Sequence, residues 1–152
     1  CPGQIVIAGT MAGVEKAAVL LGEAGAKKSV ILPVSAPFHS TLMQPAAEKL
    51  AVELDKVEIR DAKIPVVANV SAEILTKAAD IKESLVKQAA SPVKWEDCVE
   101  KMKEFGADTF VEAGPGKTLC GFNKRIDRKL TSMNVENLET LQKTLDYFKE
   151  VR

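Results

Sequence analysis

From His39 onward this chain alternates segments of helical periodicity with short apolar runs, and that alternation narrows the available folds more than any other feature. Parallel strands need a crossover long enough to hold a helix, so helix–strand alternation argues for an α/β fold with helices flanking a parallel sheet. Residues 64–70 (Ile-Pro-Val-Val-Ala-Asn-Val) and 109–113 (Thr-Phe-Val-Glu-Ala) show little apolar–polar alternation, the pattern of strands covered on both faces. A short strand is expected at 133–135. Helices are expected over 41–54 with Ser40 as N-cap, 81–89 stopped by Pro92, 95–105, 117–130 and 138–149. Ahead of His39, residues 4–9 and 29–34 read as strands on either side of a helix at 14–25 that Gly25 closes. That strand–helix–strand piece looks like part of a small α+β unit.

Composition bounds the function. The 152 residues are 46% hydrophobic, enough for one core. Lysine plus arginine and aspartate plus glutamate both number 21, so no global basic field points to nucleic acid. No apolar run approaches the ~20 residues of a membrane span, and no secretory signal is visible. Cys1, Cys98 and Cys120 are odd in number and far apart, which is neither a metal pattern nor a disulfide framework. A reducing, cytoplasmic setting without metal or cofactor is the expectation. The start, Cys1-Pro2-Gly3-Gln4, carries no initiating methionine and runs at once into a strand, which suggests a cut from something longer.

His39 is the only histidine, and it sits between an apolar run and a helix. A lone histidine commonly packs or caps. A place beyond the end of a predicted strand raises the functional reading, because open α/β sheets bind ligands there. Histidine is also the side chain suited to proton transfer near neutral pH. The run Gly114-Pro115-Gly116-Lys117-Thr118 resembles the tail of a phosphate-binding loop, but the full pattern needs glycine where Val111 stands. A tight strand-to-helix turn is the expected role, with amides at the helix start open to an anion. Lys117, Lys124, Arg125, Arg128 and Lys129 fall along one expected helix, with Lys124/Arg128 and Arg125/Lys129 at i,i+4, and Lys27 and Lys28 form a second small cluster. The alternatives there are a solvated face and a docking surface for an acidic partner. No serine has glycines two residues away on both sides, as a nucleophile elbow requires.

Five collinear segments carry a resemblance to a known family: Cys1-Pro-Gly-Gln-Ile-Val-Ile-Ala-Gly9, Leu32-Pro-Val-Ser-Ala-Pro-Phe-His-Ser40, Met43-Gln-Pro-Ala-Ala47, Val66-Val-Ala-Asn-Val70 and Glu112-Ala-Gly-Pro-Gly-Lys117. Together they resemble the bacterial malonyl-CoA:acyl carrier protein transacylases. The likeness runs end to end through this chain and covers about the C-terminal half of the usual family protein. It implies an α/β-hydrolase-like large subdomain, represented by residues 34–152, and part of a small ferredoxin-like subdomain, represented by residues 1–33. It implies malonyl transfer from coenzyme A to the phosphopantetheine thiol of acyl carrier protein, through an acyl-serine in a ping-pong cycle of fatty acid biosynthesis. His39 corresponds to the catalytic histidine, Gln88 to the position whose backbone carbonyl orients it, and Phe38 to a position lining the acyl pocket. Lys124, Arg125 and Arg128 then become candidates to face the acidic carrier protein.

The resemblance also implies what these residues lack. The family's serine nucleophile, the arginine that pairs with the malonyl carboxylate and the oxyanion-hole loop all lie upstream of Cys1. An inactive fragment is therefore expected, because a base without a nucleophile or oxyanion hole has almost nothing to act on. Unpaired sheet edges and exposed apolar surface should make it self-associate or retain a missing N-terminal half. Two other readings stand beside this one. The first is a non-catalytic carrier-protein-binding module. The second is a small regulatory α+β domain, suggested only by the N-terminal strand–helix–strand piece.

Overall fold

The computed structural model describes residues 1–151 and divides into two compact units, Val6–Lys94 and a unit made of Cys1–Ile5 with the chain from Trp95 onward. The first unit holds α1 (Met11–Glu23), a 3-10 turn (Thr41–Met43), α2 (Gln44–Leu54), β1 (Val66–Val67), β2 (Ile74–Leu75) and α3 (Ala78–Ala89). Helix α1 starts at Thr10, whose hydroxyl accepts the Gly13 N–H at 3.2 Å. Helices α2 and α3 pack on each other, and small side chains, Ala47, Ala68 and Ala72, are the buried apolar ones.

The second unit holds α4 (Trp95–Glu104), β3 (Thr109–Ala113), α5 (Thr118–Ile126), β4 (Thr131–Val135) and α6 (Leu138–Glu150). Strands β3 and β4 are parallel, in register from Thr109 opposite Thr131 to Ala113 opposite Val135. Helix α5 is their crossover and packs on both, α6 packs on β4, and α4 packs on α5. Cys98, Val99, Cys120 and Leu130 form the buried apolar set. Asn137 begins α6 with a reciprocal capping box, its side chain taking the Thr140 N–H at 3.0 Å. The α/β class and the β–α–β arrangement of this unit are those expected from the alternation.

Several expected elements differ. Residues 4–9 and 29–34 form no strand, because a strand needs a ladder partner and none pairs with them among the described residues. Ile5 is 91% exposed and Val30 61%. Residues 64–70 are not a buried parallel strand. Only Val66 and Val67 pair, antiparallel to Leu75 and Ile74. The chain then turns at once: the Ala68 carbonyl takes the Ser71 and Ala72 N–H groups, and Ala72 adopts φ +60. Helix α5 stops at Ile126 instead of reaching 130. Asp127 goes extended, and its carboxylate takes the Lys129 N–H at 2.9 Å and the Lys103 ammonium at 3.0 Å.

Candidate active site

His39 lies in a turn just ahead of the 3-10 turn, with φ +59. Few residues other than glycine adopt that conformation, and histidine is among the more tolerant. The Ser40 hydroxyl closes the turn by donating to the Pro37 carbonyl at 2.7 Å. Ser40 thus serves the backbone two residues before His39 rather than capping the helix with its side chain, as expected from the sequence. The histidine ring Nδ1 lies 3.1 Å from the Gln88 carbonyl oxygen. A carbonyl can only accept, so Nδ1 carries the proton and Nε2 of the neutral ring is the unprotonated, basic nitrogen. Gln88 sits in the last turn of α3, where carbonyls have no intrahelical donor. Phe38, next in the turn, is 49% exposed. Gln88 also lines a half-open groove of about 180 Å³ with Asn69, Leu75 and Leu85, mostly apolar.

The glycine turn after β3 is built differently from the expectation. Its amides are not open to an outside anion, because the protein's own carboxylates fill them. Glu112, on β3, takes the N–H groups of Leu119 at 3.1 Å and Cys120 at 2.9 Å at the start of α5. Burial pushes the Glu112 carboxyl up, but those backbone donors outweigh it and hold the group below the usual carboxylate range. Burial and the neighbouring Glu112 carboxylate push the Cys120 thiol up, and its Sγ donates to the Met133 carbonyl at 3.3 Å. Glu136 takes the Gly116 N–H at 2.7 Å, while Asn134 donates to the Gly116 carbonyl at 3.2 Å. Gly114 and Gly116 have φ +144 and +81, which explains glycine at both positions. The sequence signal for this lock is a glutamate two residues before a Gly-Pro-Gly that opens a helix.

The basic stretch also changes. With α5 ending at Ile126, Arg128 and Lys129 are off the helix, so the i,i+4 pairs Lys124/Arg128 and Arg125/Lys129 share no helical face. Lys124 and Arg125 sit in the last turn of α5, where positive charge suits the helix end. Arg125 donates through Nη1 to the Gln4 side-chain oxygen at 2.8 Å and lies 3.8 Å from the Cys1 sulfur. Among the described residues no cluster of three or more His, Cys, Asp or Glu is placed to hold a metal, and no helix is long and apolar enough to cross a membrane.

One unit carries a parallel β–α–β arrangement and the other a histidine held by a helix-end carbonyl, and solved structures similar to this chain are of acyl-carrier-protein malonyltransferases. An acyl-carrier-protein S-malonyltransferase from Burkholderia pseudomallei 1710b superposes with a TM-score of 0.86 at 44% identity, over 91% of this chain and 45% of that one. A type II PKS acyl-carrier protein in complex with its malonyl-transacylase gives 0.87 at 40% identity, over 91% and 45%. Among curated proteins, the malonyl CoA-acyl carrier protein transacylase of Bacillus subtilis (strain 168) is 50% identical over 150 residues, 99% of this chain and 47% of that protein. The Haemophilus influenzae transacylase is 47% identical over 137 residues, 90% of this chain and 44% of that protein. No family model matches. The chain spans about half the length of the curated relatives it matches. In sequence and fold it is similar to about half of a malonyl CoA-acyl carrier protein transacylase.

Proposed function

We propose that this chain supplies the acid–base half of a malonyl-CoA:acyl carrier protein transacylase. The observation that carries the reading is the His39 Nδ1–H donated to the Gln88 carbonyl, which leaves Nε2 as a base with a fixed direction. In the reaction, Nε2 takes the proton of a serine hydroxyl as that oxygen attacks the malonyl thioester carbonyl. The tetrahedral intermediate collapses, the carbon–sulfur bond breaks, and the imidazolium returns the proton to the departing coenzyme A thiolate. In the second half, the phosphopantetheine thiol gives its proton to Nε2, its sulfur attacks the acyl-serine ester, and the serine oxygen leaves and is reprotonated. The Gln88 carbonyl dipole faces the ring and stabilises the charge it gains at each stage. These steps call on no metal or cofactor.

The serine is not among these 152 residues in any activated setting, so the chain alone is proposed to be inactive and to act with the part of the relatives' length it does not span. In this reading residues 1–33 belong to the small ferredoxin-like subdomain, residues 34–152 to the large one, and Phe38 lines the acyl pocket. Lys124, Arg125 and Arg128 face the acidic carrier protein, Arg125 with one N–H already given to Gln4. The setting is the cytoplasm, where fatty acid precursors and reduced thiols occur together. The test joins this chain to the N-terminal half of the Bacillus subtilis relative and measures malonyl transfer from coenzyme A to carrier protein. Loss of the general base in His39→Ala should lower turnover by about 10²–10⁴-fold. Unchanged turnover would refute the reading. Carrier-protein binding without transfer by the joined protein would favour the non-catalytic module.

A further inference from the structure

We propose that Pro92 is a positioning residue for His39, because it withholds the one backbone N–H that would otherwise compete for the Gln88 carbonyl. The proposal rests on reading His39 as the base, but its mechanism is local. In an α-helix the carbonyl of residue i is taken by the N–H of residue i+4. For Gln88 that residue is Pro92, which has no N–H. Proline also biases the preceding residue, Ser91, away from helical backbone, so α3 stops before it can wind over its own end. The chain there behaves accordingly. Ala90 leaves the helix at φ −115, ψ 13, and its N–H turns back to the Lys87 carbonyl. Beyond the proline, the Lys94 N–H goes to the Asn69 carbonyl at 2.8 Å, which fixes the segment that follows α3. The Gln88 carbonyl therefore faces outward with its acceptor capacity unspent, and the His39 ring takes it at 3.1 Å.

The chemical consequence is tautomer control. A neutral imidazole can hold its proton on either nitrogen, and only the Nδ1–H form presents Nε2 as a base. An N–H at position 92 would draw the Gln88 carbonyl into one more helical bond and leave the ring without its selective acceptor. The identity of residue 88 matters little, since only its main chain is used. The requirement falls on position 92, four residues later, where a residue without an N–H is needed.

Because His39 is the only histidine, its imidazole nitrogens can be read by NMR without ambiguity. The experiment compares the Nδ1–H to Nε2–H ratio at a pH where the ring is neutral, in this chain, in Pro92→Ala, and in a variant with lactic acid incorporated at position 92. The lactate ester also lacks an N–H but has no proline ring. The parent chain is expected to be mainly Nδ1–H. Pro92→Ala should lower the ratio about tenfold, the worth of one net hydrogen bond, and the lactate variant should keep the parent ratio. A folded Pro92→Ala with an unchanged ratio overturns the proposal, as does a lactate variant that shifts as far as alanine. Should Pro92→Ala fail to fold, the parent chain and the lactate variant decide: an Nε2–H ring in either overturns it. Failure of the base reading looks different, since His39→Ala would then spare turnover in the joined enzyme while the tautomer ratio still responded to position 92.

Discussion

Removing the Glu112 carboxylate should loosen the start of α5 selectively, and the size of the effect follows from its contacts. Glu112 accepts two backbone N–H groups, from Leu119 and Cys120, at a part-buried helix start. Hydrogen bonds to a charged group contribute about 1.5–3 kcal/mol each in proteins, and a negative charge at a helix N-terminus adds about 0.3–1 kcal/mol. The contributions overlap, so Glu112→Ala is expected to cost about 2–4 kcal/mol. Glu112→Gln keeps one acceptor oxygen but loses the charge, and about 1–2 kcal/mol is expected. Because the chain forms two compact units, the appropriate assay is local: amide hydrogen exchange at Leu119 and Cys120. Protection there should fall roughly 30- to 700-fold in Glu112→Ala, with much smaller changes at α2 and α3. The effect also has a pH signature. The folded carboxyl is held below its unfolded value of about 4.3, so its contribution is fully present above that value and is lost as pH falls through the folded value. The parent and Glu112→Gln should therefore converge in acid. Equal protection of Leu119 and Cys120 in the parent and Glu112→Ala at neutral pH would refute the capping argument.

Other substitutions probe other parts of the account. Val99 is fully buried, and Val99→Ala should destabilise its unit by about 1–3 kcal/mol, read as a lower urea midpoint with an unchanged slope. Asn137→Ala removes the capping box of α6 and should cost about 1 kcal/mol, seen as faster exchange of the Thr140 amide. Charge reversal at Lys124 and Arg128 should weaken carrier-protein binding by the joined enzyme, with a smaller salt dependence; unchanged binding at low salt would remove the docking assignment. The exposed apolar residues ahead of His39, Ile5, Val6, Val30 and Val34 among them, should make the isolated chain associate with itself. A monodisperse monomer in sedimentation would contradict that.

What the sequence reveals of this fold depends on where each element finds its partners. Residues 4–9 are more apolar than 109–113, yet the latter form β3 and the former form no strand. Apolar periodicity reports a face to be covered, while a strand exists only where another strand supplies the ladder, as β4 does for β3. The end of α5 escapes periodicity for a different reason. The basic residues continue at helical spacing past Ile126, but Asp127 is better satisfied by Lys129 and Lys103 in an extended conformation. In the site, the single histidine at a turn is visible in the sequence, whereas its approach to Gln88 bridges 49 residues and no spacing rule reaches that far. The Gln88–Pro92 interval is local and readable, but it acquires meaning only once the imidazole is seen on the carbonyl. Glu112 was hidden by the resemblance of its neighbours to a phosphate-binding turn, when the anion in question is the protein's own.

The central claim is that His39 is a base whose nucleophile lies outside these residues. Intact mass after incubation with malonyl-CoA tests it most directly, on folded chain alone and on the chain joined to the N-terminal half of the Bacillus subtilis relative, each with and without His39→Ala. The account predicts an unchanged mass for the chain alone, and a malonyl adduct on the joined protein that forms far more slowly in His39→Ala. A malonyl adduct on the 152-residue chain by itself would contradict it.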